Sequence, residues 1–308
     1  MKNKDKALAC LFFLFVFLFV LFTATTMISF DASGANNSIT ITKVNITNTE
    51  PDLHYVFITP ASIDLTPGNT TKVNCTGYVY DLDGYADVTG ANATFYDSSN
   101  GDTGGFDGTY RYLNSSCTCV EVSTYNASCS CLFDVQYYAN NGTWQCNMTA
   151  VDDYGISDNE NSTLFDVNTV VGIDVPAELD YGDLSVTQYS LEKGLNVTNY
   201  GNVPINISVR GYGGTTDSDN PDNLSMICAA GGNISMEHEK YSITGGLGYG
   251  SMVTLNNEST AMGFTIEVKN NDTAINHLNT TYWMIYIPAS VSGFCNGTLE
   301  FVGQENPQ

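Results

Sequence analysis

Two Cys-x-Cys motifs constrain the fold of this chain more than any other feature of its sequence. Cys117 and Cys119 precede a short polar loop, and Cys129 and Cys131 follow it. The two residue numbers of the outer pair add up to the same value as those of the inner pair. This holds for residues that face each other across an antiparallel hairpin. Residues two apart on a strand also share one face of the sheet. The spacing therefore predicts a hairpin with two stacked disulfides, Cys117–Cys131 and Cys119–Cys129.

A zinc site with four thiolate ligands is the alternative for these cysteines. Zinc sites of this kind are typical of reducing compartments, whereas disulfides persist in oxidising ones. The choice between the two therefore depends on whether the chain is exported.

The N-terminus predicts export. Lys2, Lys4 and Lys6 precede an uncharged apolar run over 7–22. A basic segment followed by an apolar one is typical of a secretory signal peptide, and the small residues within 32–35 offer cleavage sites.

Two alternatives for this segment remain open. With residues 23–30 included, the apolar run reaches the roughly 20 residues that a membrane span needs, so the segment could stay as an anchor. The Lys6–Ala9 stretch also resembles the processing site of archaeal type IV pilin precursors. We expect residues 1–35 to be a signal peptide or N-terminal membrane anchor, and the protein to be extracellular or at the cell surface.

Export favours disulfides for the remaining cysteines as well. The chain has nine, and the eight that lie outside the apolar run form an even set. Cys75 and Cys146 are left after the hairpin pairs, and their bridge would contribute about 4 kcal/mol to stability in the chain-entropy model. Cys228 and Cys295 would form the single disulfide of the second half.

The composition agrees with an extracellular location. The chain carries about eighteen Asn-x-Ser/Thr sequons, which are glycosylated only if the chain meets the transferase. Its formal net charge is −23, and so acidic a surface repels nucleic acid and anionic lipid. We therefore expect no nucleic-acid partner, and membrane contact only through the N-terminal segment. The predicted glycosylation sites are Asn69, Asn92, Asn114, Asn126, Asn141, Asn196, Asn223, Asn257, Asn279 and Asn296.

Short alternating runs, broken by Asn, Asp and Gly, fill the chain after the N-terminal segment. Many short strands separated by turn signals are typical of sandwiches and barrels. We predict an all-β protein with two tandem Ig-like antiparallel β-sandwich domains after a signal or anchor helix. The clearest runs are Thr71–Tyr80, Trp144–Val151, Asn196–Val209, Gly263–Lys269 and Tyr282–Ile287.

The same pattern predicts the domain organisation. After the N-terminal segment come a β-segment over 36–50, a first sandwich over 51–168 with three disulfides, and a linker over 169–175. A second sandwich over 176–303 with one disulfide and a tail over 304–308 complete the chain.

Both predicted sandwiches resemble known modules. Cys75 in VNCTGYVYD and Cys146 in YYANNGTWQCNMTAVDD are similar to the B and F strands of Ig-like and PKD-like domains. The segment Leu195–Val209 resembles strand–turn–strand segments of CARDB-like Ig modules, and more faintly the biofilm-fibre family of TasA and camelysin. Together the units resemble modular cell-envelope proteins of archaea. The resemblance implies surface display. We expect other surface proteins or glycans as partners.

A group of closely spaced aspartates is the sharpest local motif. Asp81, Asp83 and Asp87 surround Gly84, and calcium-binding loops combine carboxylates with a Gly that permits a tight turn. Ordinary solvated turn carboxylates are the alternative, because Asp-Gly is also a common turn sequence.

A second observation favours calcium. Asp81 lies six residues after Cys75, and Asp152 lies six residues after Cys146. The B and F strands of an Ig sandwich run in the same direction, so a bridge between the cysteines brings both carboxylates to one end. We therefore predict a calcium site at Asp81, Asp83, Asp87, Asp152 and Asp153, and expect no other cofactor.

Catalytic motifs are missing from the sequence. It has no nucleophile elbow, zinc-protease helix or P-loop, and His54, His238 and His277 are far apart. We interpret Glu237-His238-Glu239 as a solvated polar segment rather than a metal site. We predict that the protein is not an enzyme and has no catalytic residues.

Two further features have competing interpretations. Tyr137, Tyr138 and Trp144, or Tyr282 and Trp283, could stack on sugars, but we interpret them as core residues and cross-strand pairs.

The segment Ser38–Thr47 is either the first strand or an ordered leader of the first sandwich, or a donor strand that completes the sheet of a neighbouring copy.

The sequence thus predicts a non-catalytic envelope protein that acts in adhesion, recognition or wall structure. A pilus-like fibre subunit that assembles through its N-terminal segment is one alternative. A secreted carbohydrate-active protein, or the carbohydrate-binding part of one, is the other.

Overall fold

The structure is a computed structural model, and it describes residues 39–216 and 223–306. The signal or anchor helix predicted for residues 1–35 lies outside the described residues. The described part contains twenty strands and only short 3-10 turns as helical structure. The prediction of an all-β, antiparallel sandwich chain is confirmed. No helix in this part has the length and apolar character that crossing a bilayer requires.

The strands fall into two sets along the chain. The first set is β1 (Asp52–Thr59), β2 (Ser62–Ile63), β3 (Thr70–Tyr80), β4 (Val88–Asp97), β5 (Arg111–Asn114), β6 (Thr118–Ser123), β7 (Asn126–Gln136), β8 (Gly142–Asp152), β9 (Ser157–Asn161) and β10 (Phe165–Val167). The second set is β11 (Ile173–Asp174), β12 (Lys193–Asn199), β13 (Ile205–Gly213), β14 (Leu224–Cys228), β15 (Asn233–Ser235), β16 (Glu239–Ser242), β17 (Val253–Thr254), β18 (Thr260–Ile266), β19 (Leu278–Ile285) and β20 (Cys295–Glu305).

The first set forms two sheets with a shared core. One sheet has the order β1-β3-β7-β6, and the other has the order β2-β10-β8-β4-β5, with β9 beside β8. Alternate residues of β3 and β8 are buried, as expected for strands with one face on a core. Phe95 lies at the centre of this core, stacked on Trp144 at a centroid distance of 4.6 Å and on Phe165 at 5.3 Å. Aromatic rings of this size each bury a large apolar area when they pack inside a core.

The second set forms two more sheets, ordered β11-β12-β19-β16-β17 and β15-β14-β20-β13-β18. Trp283 on β19 is fully buried and packs against Tyr241 of β16 and Phe301 of β20, with centroid distances of 5.4 and 5.9 Å. The core of the second half is therefore built by residues from both of its sheets.

The four disulfides have the connectivity that the cysteine spacing predicts. The structure pairs Cys75 with Cys146, Cys117 with Cys131, Cys119 with Cys129, and Cys228 with Cys295. The register of β6 on β7 places Cys119 directly opposite Cys129. The four hairpin sulfurs form two disulfides, so none of them is left as a thiolate that could bind zinc.

Two predictions on local segments are wrong. The predicted β-segment over 36–50 contains no strand among its described residues, and the first strand begins at Asp52. The segment alternates like a strand, but none of its described residues has the partner strand that would satisfy its backbone groups. Glu239 is not solvated: it opens β16 and is only 3% exposed. Its burial results from packing against residues far away in the sequence.

Candidate metal centre

The predicted aspartates gather at one end of the first pair of sheets. Asp81 follows the last residue of β3, and Asp152 is the last residue of β8. The disulfide between Cys75 and Cys146 joins these two strands across the core. Both strands reach the same end, so the reasoning from the two six-residue spacings agrees with the structure.

A tight turn brings three of the carboxylates together. Ligand oxygens of Asp81, Asp83 and Asp87 lie within 4.8 Å of one another. Gly84 has a φ of +113°, a conformation that side-chain-bearing residues rarely adopt, and it precedes the 3-10 turn Tyr85–Asp87. Gly84 therefore lets the chain reverse so that Asp87 faces Asp81 and Asp83.

Only one of the two oxygens of the Asp81 carboxylate has a hydrogen-bond partner among the described residues. Its side chain is fully buried, and Oδ1 accepts a hydrogen bond of 2.8 Å from the backbone N–H of Asp83. Its Oδ2 is buried with no hydrogen-bond partner among the described residues, and so is Oδ2 of Asp87. Buried polar atoms are nearly always paired, so two such oxygens in one cluster require an explanation.

The cluster is electrostatically strained. Burial raises the pKa of Asp87 above its usual range, and the negative charges of Asp81, Asp152, Asp83 and Asp153 raise it further. All five predicted aspartates therefore contribute to one negative region, which a cation would relieve.

The other two aspartates have different roles from the three ligand candidates. Asp152 is buried, and its Oδ1 accepts hydrogen bonds from the backbone N–H groups of Tyr154 at 2.9 Å and Ile156 at 2.7 Å. Its Oδ2 accepts a 2.6 Å hydrogen bond from Asn48 Nδ2. Asp153 is exposed. These two aspartates surround the cluster and add charge, but their oxygens are not in its close group.

Two further residues, which no sequence motif indicated, complete the surroundings of the aspartate cluster. Asn48 contacts Asp152, and its own Oδ1 is buried without a partner among the described residues. The backbone N–H of Thr49 donates a 2.6 Å hydrogen bond to Oδ2 of Asp83. Asn48 is 104 residues from Asp152 in the sequence, so no local pattern could have indicated the contact.

The donor set suits a hard divalent cation. All candidate ligand atoms are carboxylate or amide oxygens, which calcium and magnesium prefer to nitrogen or sulfur. Calcium takes 6–8 oxygens in flexible geometry, and loop carboxylates together with water can supply them. Asp81, Asp83 and Asp87 would hold the ion, and the residues present fit it.

The other predicted site residues are placed as follows. Trp144 and Trp283 are fully buried, and Tyr137 and Tyr138 are 5% and 1% exposed, so these rings are core residues that no sugar can reach. None of the ten predicted glycosylation asparagines is buried.

Comparisons with known proteins identify no family. No family model matches the chain, and no curated protein sequence matches it.

Among solved structures, the chain is similar to the CsuC–CsuE chaperone–tip adhesion subunit complex of archaic chaperone-usher Csu pili from Acinetobacter baumannii. The identity is 8% and the TM-score 0.35, over 79% of this chain and 96% of that one. Carbohydrate-binding modules of the β-sandwich superfamily match at 10% identity and a TM-score of 0.26, over 83% and 97% of the two chains. BcpA, the major pilin subunit of Bacillus cereus, matches at 9% identity and a TM-score of 0.25, over 74% and 69%. Likenesses this weak carry no argument about function.

Proposed function

We propose that this chain is a non-catalytic extracellular or cell-surface protein, acting in adhesion, recognition or wall structure, whose first sandwich binds a calcium ion. The observation that carries the metal assignment is Oδ2 of Asp81, which is fully buried beside Asp83 and Asp87 and has no partner among the described residues. A cation at this position satisfies that oxygen and neutralises the carboxylates around it.

An extracellular location is consistent with such a site. Calcium sites of extracellular modules commonly work at 10⁻⁴–10⁻³ M, so a centre with few fixed ligands suffices there. The four disulfides require an oxidising compartment, and the accessible sequon asparagines suit glycosylation during export. The ion would hold the end of β3 and the turn after it, and so stabilise the module on which a partner docks.

The proposal predicts a calcium-dependent rise in stability. Thermal unfolding of the exported protein, followed by circular dichroism, should shift to higher temperature when EDTA is replaced by millimolar calcium chloride. A ligand at tenfold its Kd adds about 1.4 kcal/mol to the free energy of unfolding. Asp87→Asn should lose this shift. In EDTA the same variant should be more stable than the wild type, because it removes one of the mutually repelling charges.

Asp134→Asn is the matched control. Asp134 is exposed on β7 and forms a surface ion pair with Lys72, so this variant should keep the full calcium shift. The metal assignment is wrong if calcium leaves the wild-type midpoint unchanged, or if Asp87→Asn and Asp134→Asn respond equally.

A second candidate function is self-assembly through the N-terminal segment. Within 39–47, Ile39, Ile41, Val44 and Ile46 are 79–90% exposed, in a segment that belongs to no sheet. An exposed apolar segment with free backbone groups is a donor for strand addition. We propose a neighbouring copy as the acceptor.

The acceptor edge that fits this segment is β6. This strand ends its sheet and pairs only with β7 among the described strands. Val120 and Val122 on it are each 56% exposed, and the exposed Glu121 between them is the only charged residue of this edge strand. A strand added beside β6 would pair with its free backbone groups and cover both valines.

A further inference from the structure

The second half of the chain contains a large cavity that the calcium proposal does not use. Its volume is about 840 Å³, within the 300–1,000 Å³ typical of small-molecule sites. The irregular segment 175–184 forms one wall, and side chains of both sheets form the others. The apolar part of the wall includes Leu195, Met226, Ile234, Ile285, Leu299 and Phe301.

A buried carboxylate faces this cavity. Glu239 lines it and is only 3% exposed, and the Tyr181 hydroxyl donates a 2.8 Å hydrogen bond to its Oε1. Burial raises the pKa of Glu239 to about 7, against the lowering effect of the hydrogen bond from Tyr181. A carboxylate in apolar surroundings is destabilised unless it takes up a proton or a cation accompanies it.

The mouth of the cavity is acidic too. Glu178, Asp180 and Asp183 are exposed residues of the irregular segment, and all three line the cavity. No lysine, arginine or histidine is among the lining residues. The site therefore has carboxylates at its mouth and in its interior, apolar side chains on its walls, and no positive charge of its own.

We propose that this cavity binds a small organic cation with an apolar body, of the alkylammonium type. The ammonium group lies beside the Glu239 carboxylate, and the hydrocarbon body packs along Met226, Ile285 and Phe301. The carboxylates at the mouth attract such a ligand and repel fatty acids and phosphate esters. This assignment is independent of the calcium centre, because it rests on other residues in the other half of the chain.

A ligand series with equal chain length tests the proposal. The exported protein in EDTA is titrated with octylammonium chloride, 1-octanol and sodium octanoate by isothermal titration calorimetry. Octylammonium should bind saturably and at least tenfold more tightly than octanol, and octanoate should not bind. The fluorescence of Trp283, which packs against the cavity residue Phe301, should change in parallel.

Matched variants locate the site. Glu239→Gln should weaken octylammonium binding at least tenfold, whereas Glu237→Gln should not. Glu237 is two residues away with a side chain that is 74% exposed, so it controls for general charge attraction. Asp87→Asn should bind octylammonium as the wild type does, which separates this site from the calcium centre.

Several outcomes would overturn the proposal. They are equal binding of octylammonium and octanol, no saturable binding, or equal loss in the Glu239→Gln and Glu237→Gln variants. If a segment of a second copy fills the cavity instead, affinity will fall as protein concentration rises, which also contradicts it. Should Glu239→Gln fail to fold, the three-ligand series on the wild type decides alone.

Discussion

At the residue scale, Glu239 shows how position in the fold changes the chemistry of a side chain. In the sequence it follows Glu237 and His238 in a polar stretch, and nothing marks it as different from its neighbours. In the structure Glu237 is exposed, whereas Glu239 points into the second half of the chain and hydrogen-bonds with Tyr181. The difference arises because Glu237 lies in the 3-10 turn Met236–His238, whereas Glu239 is the first residue of β16 and packs inside the fold.

The raised pKa of Glu239 predicts a specific dependence of stability on pH. Its pKa is about 7 in the folded protein and 4.5 in an ordinary environment. As pH rises, the unfolded chain therefore releases this proton first, which favours unfolding. The stability contribution is fully present below pH 4.5, is lost between 4.5 and about 7, and stays lost above. The loss corresponds to about 3 kcal/mol.

Urea denaturation of the wild type and Glu239→Gln at pH 4.5 and pH 8 measures this effect. The variant cannot ionise at this position, so its stability relative to the wild type should be greater at pH 8 than at pH 4.5. Tyr181 and Tyr249, the other titratable groups coupled to Glu239, ionise well above this range. Glu237→Gln should follow the wild type at both pH values. The prediction is contradicted if the difference in free energy of unfolding between the wild type and Glu239→Gln is the same at both pH values.

At the scale of secondary-structure elements, strand alternation correctly located β3 and β8, two long strands of the first core. The predicted run Thr71–Tyr80 corresponds to β3 at Thr70–Tyr80, and Trp144–Val151 lies within β8 at Gly142–Asp152. The alternating segment after residue 38 has a strand-like pattern but no strand structure. Alternation reports which side chains could share a face, whereas a strand exists only where a neighbour satisfies its backbone.

The unpaired segment and the exposed edge of β6 together predict assembly. The purified protein should form filaments visible by negative-stain electron microscopy. The double variant Ile39→Asp, Ile41→Asp should abolish them, because charged side chains cannot pack on the acceptor. Val120→Lys should do the same from the acceptor side, since a lysine on an edge strand opposes strand addition.

Val186→Lys is the control for the acceptor variant. Val186 is also exposed, at 46%, but it lies in no strand, so its replacement should leave filaments intact. Monomeric wild-type protein at all concentrations, or filaments that survive the double variant, would rule out this mode of assembly.

At the scale of the whole molecule, one buried side chain links the two pairs of sheets. Asn202 is 4% exposed, and its Nδ2 donates to the carbonyl oxygens of Ala139 and Asn168, each at 3.1 Å. Its Oδ1 accepts a 2.7 Å hydrogen bond from the backbone N–H of Val170. Residues 48–308 form one compact unit, and this asparagine is one of the contacts that join its two halves.

Replacement of Asn202 should destabilise the protein as a whole. Asn202→Ala leaves the partner carbonyl and N–H groups buried without hydrogen bonds, at a cost of about 1–3 kcal/mol. Asn206→Ala, an exposed change on β13, should cost no more than about 0.5 kcal/mol. Equilibrium urea unfolding measures both values. Equal effects of the two substitutions would show that the Asn202 contacts do not contribute to stability.

The sequence alone determined features that depend on short-range geometry. The two Cys-x-Cys motifs specify a register, because residues at equal distances from the turn of a hairpin face each other. The structure contains the same two pairs. The equal spacing of Asp81 and Asp152 from their cysteines placed both carboxylates at one end for a similar reason. Strand rise is constant, so equal numbers of residues cover equal distances.

Only the tertiary structure decided which polar groups lose contact with water. The burial of Asp81 and Glu239, the contact of Asn48 with Asp152, and the cavity beside Tyr181 all depend on residues far apart in the chain. Desolvation is set by every element packed around a group, and it determines whether a carboxylate is an ordinary surface charge or a candidate ligand. The group of aspartates was therefore predictable, but the unpartnered oxygen that supports the proposed calcium site was not.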